Sequence, residues 1–201
     1  MKNTYTSLLS YQSMNKNAIA PVKKQLELYI AQGNPYWNIS PETATYIVSL
    51  LNTYKPMRVL EIGTSIGYSA ICIGEALAAW GGTLVTIESH EERFSLAQKN
   101  IEDSTLENII QVKGHAPEIL KNIDGSFDLC FFDATKYEHL SYFNALKERI
   151  NPHGIIITDN MLSHENELAE YKKTVEDDPQ FESELVDVGT GLLVSHKIEK
   201  Q

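Results

Sequence analysis

Residues 57–69 read MRVLEIGTSIGYS, and the fold turns on them. Val59, Leu60 and Ile62 suit a buried parallel strand, while Ile66, Ala70, Ile73 and Leu77 recur at helical spacing in the segment that follows. Between them Gly63 and Gly67 let the backbone turn tightly and approach a ligand that a Cβ would block. Glu61 is the odd member, a carboxylate in an apolar strand where burial is costly without a partner. A bound cation or a hydroxyl-rich ligand would supply that partner. A strand, a glycine turn and a helix in this order imply a site for a nucleoside-like cofactor.

Outward from this stretch, strand and helix signals alternate. Strands are expected at 57–62, 83–88, 108–113, 127–132 and 154–158. Helices are expected at 67–79, 91–103, 137–149 and 164–177, with a short one near 116–122. Upstream, Ser40 is a suitable N-cap, Pro41 fits the first helical position and Glu42 the first turn, so a helix should run from 41 to 54 and stop before Pro56. PVKKQLELYIAQG reads as an earlier helix closed by Gly33. Two last strands, 181–188 and 191–197, flank a three-residue turn Gly189-Thr190-Gly191. The expected fold is therefore α/β and Rossmann-like. It has a mostly parallel sheet with an antiparallel C-terminal hairpin and helices on both faces.

The chain has 201 residues, enough for one domain, with 1–35 as an N-terminal helical extension and 36–201 as the core. It is 42% hydrophobic and 22% charged, ordinary globular usage with a sizeable core available. Seventeen basic residues against 27 acidic ones give a net charge of −10, which repels phosphate backbones at long range and weighs against general nucleic-acid binding. Cys72 and Cys130 lie in apolar runs and read as buried free thiols. No basic segment leads into an apolar stretch at the N-terminus, and no apolar run is long enough to span a bilayer, so a soluble cytoplasmic protein is the expectation.

In doubly wound sheets, ligands sit at the carboxyl ends of the strands. Four strands end in or are followed by carboxylates there: Glu61, Glu88, Asp133 and Asp159. Glu88 ends the second strand, where such folds place an acid against ribose hydroxyls; alternatively it serves only the dipole of the helix that follows Ser89. Asp133 after FDLCFF and Asp159-Asn160 after GIIIT supply hard oxygen ligands suited to Mg²⁺, Mn²⁺ or Ca²⁺ rather than zinc. Helix capping is the plainer reading of Asp159 and Asn160. Lys136, otherwise a surface lysine, becomes a candidate general base beside a metal and a hydroxyl substrate. His115 follows the third strand and borders the expected base of a cofactor. His90, His139, His153, His164 and His196 show no metal-ligand spacing and read as surface or helix-end residues, with His164 placed to line a substrate entrance. Tyr36 and Trp37 read first as core packing and second as a pocket wall.

The ordered set VLEIGTSIGYSA, TLVTIE, VKGHAPEIL, FDLCFFDATK, IIITDN and GTGLLVSHK resembles the cation-dependent class I O-methyltransferases. This group is related to catechol and caffeoyl-CoA O-methyltransferases and includes bacterial enzymes that methylate 5-hydroxyuridine in tRNA. The likeness covers about residues 35–197. It implies S-adenosylmethionine as methyl donor, a seven-stranded sheet and a homodimer, with residues 1–30 contributing to the interface or covering the pocket. On this likeness Glu61, Gly63 and Ser69 match positions contacting the methionine portion of the donor. Glu88 with Ser89 matches the ribose site, and His115 and Ala116 the adenine side. Ile39 in WNISPE matches a pocket residue. Asp133, Asp159 and Asn160 match the metal ligands, Asp133 also bordering the donor, and Lys136 matches the lysine assigned as base. The chain departs from the common pattern at His115 (often aspartate), at His139 (often tyrosine) and at Thr135 (aspartate in plant-type members).

The expected reaction is methyl transfer to a hydroxyl of a small acceptor bearing vicinal oxygens. A hydroxylated wobble uridine in tRNA is the alternative, with Lys16, Lys23 and Lys24 as a modest basic rim. A nicotinamide-dependent oxidoreductase is a further alternative through Glu88, disfavoured because the turn is GTSIG rather than GxGxxG.

Overall fold

The computed structural model describes residues 18–33 and 35–199. Helix α1 occupies residues 18–31 and ends near Gly33, whose φ is +72°. The expectations that fall on residues 1–17, Lys16 among them, lie outside the described residues. Helix α2 (Pro41–Tyr54) starts where expected: the Ser40 hydroxyl accepts from the Thr43 amide at 3.1 Å. It stops at Lys55, which turns left-handed and returns its amide to Leu51 O, one residue before Pro56.

Five βα steps follow. They are β1 (Arg58–Ile62), α3 (Tyr68–Ala78), β2 (Thr83–Glu88), α4 (Glu91–Ser104), β3 (Ile109–Lys113), a 3₁₀ turn (Glu118–Asn122), β4 (Phe127–Phe132), α5 (His139–Leu146), β5 (Ile150–Thr158) and α6 (Glu165–Glu176). The hairpin β6 (Phe181–Val186) and β7 (Leu192–Lys197) ends the order. The sheet runs β3-β2-β1-β4-β5-β7-β6, with β1 to β5 parallel and β7 antiparallel to both neighbours. The strand order reverses between β1 and β4, which makes the crevice above them the switch point where ligands bind.

Alternation along the central strands feeds two cores. Val59, Leu129, Phe131, Ile155 and Ile157 pack against α1 to α4 on one face. Leu60, Cys130, Phe132 and Ile156 pack against α5 and α6 on the other. Period-two burial on both faces is what a covered parallel sheet demands. Both cysteines are buried free thiols, as expected.

Three boundaries differ from expectation. Strand β5 begins at Ile150 rather than 154, because a register shift lets Phe127 pair with Ile150 and Leu129 with Ile155. The helix expected over 137–149 is a short α5 between 3₁₀ turns at Lys136–Glu138 and Lys147–Arg149. The hairpin loop covers 187–191 rather than three residues, since the ladder closes at Val186 and Leu192.

Candidate active site

Glu88, Glu61, Asp133 and Asp159 belong to four adjacent strands in the order β2-β1-β4-β5, so the topology gathers them at one edge. Gly63 makes the central approach possible. Its φ is +108°, and a Cβ there would overlap the Asp133 carbonyl oxygen. The Asp133 amide in turn donates to Ile62 O at 3.0 Å, fixing the ends of β1 and β4 together.

On the donor side, Glu61 is fully buried. The Thr86 hydroxyl donates to its Oε2 at 2.5 Å, while Oε1 has no hydrogen-bond partner among the described residues. Burial pushes its carboxyl up to about 7, against the hydrogen bonds from Ser69 and Thr86, and the charges of Asp133 and Glu88 push the same way. Ser69 lies buried in the first turn of α3, beside Glu61. Glu88 is 4% exposed and well supplied: Ser65 N donates to Oε2 at 2.9 Å, His90 N to Oε1 at 2.8 Å, and Arg93 Nη2 to Oε1 at 3.0 Å. Arg93 also sits 6.0 Å from the Trp37 ring. Ser89 is exposed, Ala116 is buried at the end of β3, and Ile39 is buried in the core beneath α2.

At the ends of β4 and β5, Phe132 pairs with Thr158, so the next residues, Asp133 and Asp159, leave adjacent strands side by side. Asp133 has a side chain 16% exposed, with Lys136 Nζ 3.2 Å from Oδ1 and donating to Ala134 O at 2.9 Å. Burial raises the Asp133 carboxyl to about 7; Lys136 opposes this and Asp159 adds to it. Asp159 is 2% exposed and is likewise raised by burial. Its Oδ1 accepts from the Thr190 hydroxyl and from the Asn160 amide, each at 2.6 Å. Asn160 has a left-handed backbone (φ +68°), and its Oδ1 is buried with no partner among the described residues.

Two adjacent carboxylates whose negative charge is disfavoured, with an orphaned amide oxygen beside them, form an incomplete oxygen set, and buried polar atoms are nearly always paired. Glu61 Oε1 and the buried Ser65 Oγ, neither with a hydrogen-bond partner among the described residues, repeat the pattern beside β1. The residues present therefore fit a hard divalent cation at one end and a polar, cationic ligand at the other.

The family model described as O-methyltransferase matches residues 20–198. The chain belongs to the O-methyltransferase family. It is 31% identical over 135 residues to a catechol O-methyltransferase of Niastella koreensis, covering 65% of this chain and 61% of that protein. It is 25% identical over 191 residues to caffeoyl-CoA O-methyltransferase 2 of Populus trichocarpa, covering 81% and 77%. The match spans about half the length of two fungal relatives, O-methyltransferase ankF of Aspergillus thermomutatus (55%) and hkm8 of Aspergillus hancockii (49%). Among solved structures, the O-methyltransferase of Bacillus cereus in complex with SAH superposes with a TM-score of 0.78 at 25% identity, covering 90% of each chain. SAH-bound PaMTH1 of Podospora anserina shares the fold, with a TM-score of 0.79 at 19% identity over 99% of this chain and 98% of that one.

Within this O-methyltransferase fold, Glu61, Gly63, Ser69, Glu88, Asp133, Lys136, Asp159 and Asn160 gather at one edge. His115 stands further out. It is half exposed, tied to Glu118 Oε2 at 2.9 Å and Glu138 Oε1 at 3.3 Å, and its pKa is raised, chiefly by the Glu118 hydrogen bond.

Three readings need correction. His139 begins a helix but is fully buried, because it closes an aromatic cluster with Phe132, Tyr142 and Tyr171. Trp37 is 82% exposed and lies against Arg93 rather than in the core. Lys23 is engaged with Glu75 on α3 at 2.7 Å, so it does not stand free as part of a basic rim.

Thr190 and Arg93 are contributors the sequence did not reveal. Thr190 arrives through tertiary contact, since its carbonyl accepts the Leu162 and Ser163 amides and so seats the hairpin loop on the turn after Asp159. Arg93 carried a local signal that went unread: five residues after Glu88, it lies in the first turn of the following helix.

Proposed function

We propose that this protein is an S-adenosylmethionine-dependent, divalent-cation-dependent O-methyltransferase acting on a small acceptor with vicinal oxygens. The observation that carries the reading is the buried Asp159 and the largely buried Asp133 side by side, next to the orphaned Asn160 Oδ1 and Lys136 Nζ. No helix among the described residues is long and apolar enough to cross a membrane.

Asp133, Asp159 and Asn160 would hold the cation, and Thr190 keeps Asp159 oriented through its hydroxyl. Glu61 and Ser69 would receive the amino-acid end of the donor, and Glu88 the ribose hydroxyls. Bound there, the cation would supply Lewis acidity to the acceptor and the donor an electrophilic methyl group. With the cation bound, Lys136 as its neutral amine would take the proton of the attacking hydroxyl at Nζ. The turn after β1 and the end of β4, locked by Gly63 against Asp133, hold the two ends of the site in fixed relation, so positioning supplies much of the rate.

Charge and the rim support this acceptor class. A net charge of −10 disfavours RNA, while the exposed Trp37 and Tyr137, the latter next to Lys136, offer flat faces to a planar small molecule. The test incubates purified protein with methyl-labelled donor, Mg²⁺, and either simple catechols or tRNA. Label in the catechol is expected, lost on chelation and in Asp159→Ala while donor binding persists. Full turnover in excess EDTA after metal stripping overturns the mechanism. Label retained in gel-purified tRNA moves the acceptor to a modified uridine.

A further inference from the structure

We propose that His139 is a positioning residue that fixes the turn carrying Lys136 and braces both acidic strand ends from behind. The inference rests on the reading of Lys136 as the base.

His139 touches neither end of the expected ligand set, yet it joins three of the segments that form the site. Its Nδ1 lies 3.0 Å from Thr135 O and 3.1 Å from Lys136 O. Both partners are carbonyl oxygens, so Nδ1 carries the hydrogen and donates. Its backbone amide also donates to Lys136 O, and Glu138 N donates to Thr135 O at 3.0 Å. The irregular segment between β4 and α5 is thereby pinned at two carbonyls that no strand ladder would satisfy. The ring meets Phe132 edge-on with centroids 6.2 Å apart, and Phe132 precedes Asp133. It meets Tyr171 edge-on at 5.7 Å, and the Tyr171 hydroxyl lies 2.5 Å from Thr158 Oγ1, one residue before Asp159.

The choice of residue is informative. Nε2 is buried with no hydrogen-bond partner among the described residues, a cost that an apolar ring in the same aromatic cluster would avoid. What histidine adds over phenylalanine is the Nδ1 donor. Burial, assisted by the Lys136 charge, holds the pKa down at about 4 against the backbone of Thr135, Phe132 and Lys136, so the ring is neutral and its donor constant across the working pH range.

Two variants separate the donor from the ring. His139→Phe keeps the aromatic packing and removes the donor. His139→Asn loses the ring but offers an amide N–H at the position of Nδ1. Amide exchange over residues 133–138 should quicken by about tenfold in His139→Phe, with kcat falling by about tenfold and the donor KM unchanged; His139→Asn should return both to within about threefold. Unchanged exchange in His139→Phe overturns the proposal, as does His139→Asn behaving like His139→Phe. A loss of kcat that merely tracks the thermal midpoint in both variants overturns it too, since packing then accounts for the effect. Faster exchange with unchanged kcat supports the fixing of the turn and overturns instead the assignment of Lys136 as base.

Discussion

Gly63 and Asp133 are packed backbone to backbone, so closely that a Cβ on residue 63 would overlap the Asp133 carbonyl oxygen. The contact spans the switch point between β1 and β4 and joins the Glu61 end of the site to the Asp133–Asp159 end. Because the obstruction is backbone rather than a movable side chain, and φ is +108°, Gly63→Ala has no relaxed solution. It should cost about 2–4 kcal/mol in denaturant unfolding and weaken SAH binding in calorimetry. Wild-type stability in this variant would show that the two strand ends can separate freely.

Thr190 holds Asp159 from the hairpin loop with a 2.6 Å hydrogen bond. Thr190→Val keeps the shape and removes the donor, leaving Asp159 less well oriented. The Mg²⁺ concentration giving half-maximal activity should rise by about 10–100-fold, with the donor KM little changed. An unchanged Mg²⁺ titration would remove Thr190 from the site.

Glu61 makes stability depend on pH. Burial holds its carboxyl up at about 7 when folded, against an ordinary 4.5, so the folded state binds the extra proton between these values. The stabilisation is complete below about 4.5 and is lost as pH rises through about 7, an effect on the order of 2 kcal/mol. The ammonium of the amino-acid end, which SAH shares with the donor, prefers the ionised form, so SAH affinity should rise over the same interval as stability without it falls. Denaturant midpoints and SAH affinity measured from pH 5 to 8 check both slopes. Glu61→Gln should flatten each, and persistence of either slope in that variant assigns it to another group.

Arg93 shares Glu88 with two backbone amides. Arg93→Leu removes the cation and leaves a nearly buried carboxylate held by N–H groups alone. Donor KM should rise about tenfold while kcat at saturating donor stays near wild type. A fall in kcat with unchanged KM would place Arg93 in the chemical step instead.

Much of this protein was written locally. The alternation of β-period and helix-period hydrophobicity, with Ser40-Pro41 and the glycine turn at 63–67 as punctuation, was enough for the order of elements and the sheet's mixed character. These signals survive because both faces of the central strands are buried, which leaves little freedom in which residues point where. The acidic strand ends were legible for the same reason: a carboxylate closing an apolar run stands out wherever it occurs. The bulge that lengthens β5 and the breaking of the helix expected over 137–149 were not legible, since both arise from how β4, β5 and their neighbours fit rather than from residue preference.

The sequence by itself determined the fold class, the acidic residues at the strand ends and the edge at which they meet, because each depends on neighbours within a few positions. Only the tertiary structure decided which second groups hold them. Thr190 reaches Asp159 across 31 residues, Trp37 in the loop before α2 lies against Arg93 on α4, and His139 at the start of α5 is buried in the core. A polar side chain's partner and burial are set by the packing of distant elements, and hydrophobic periodicity along the chain carries no record of that.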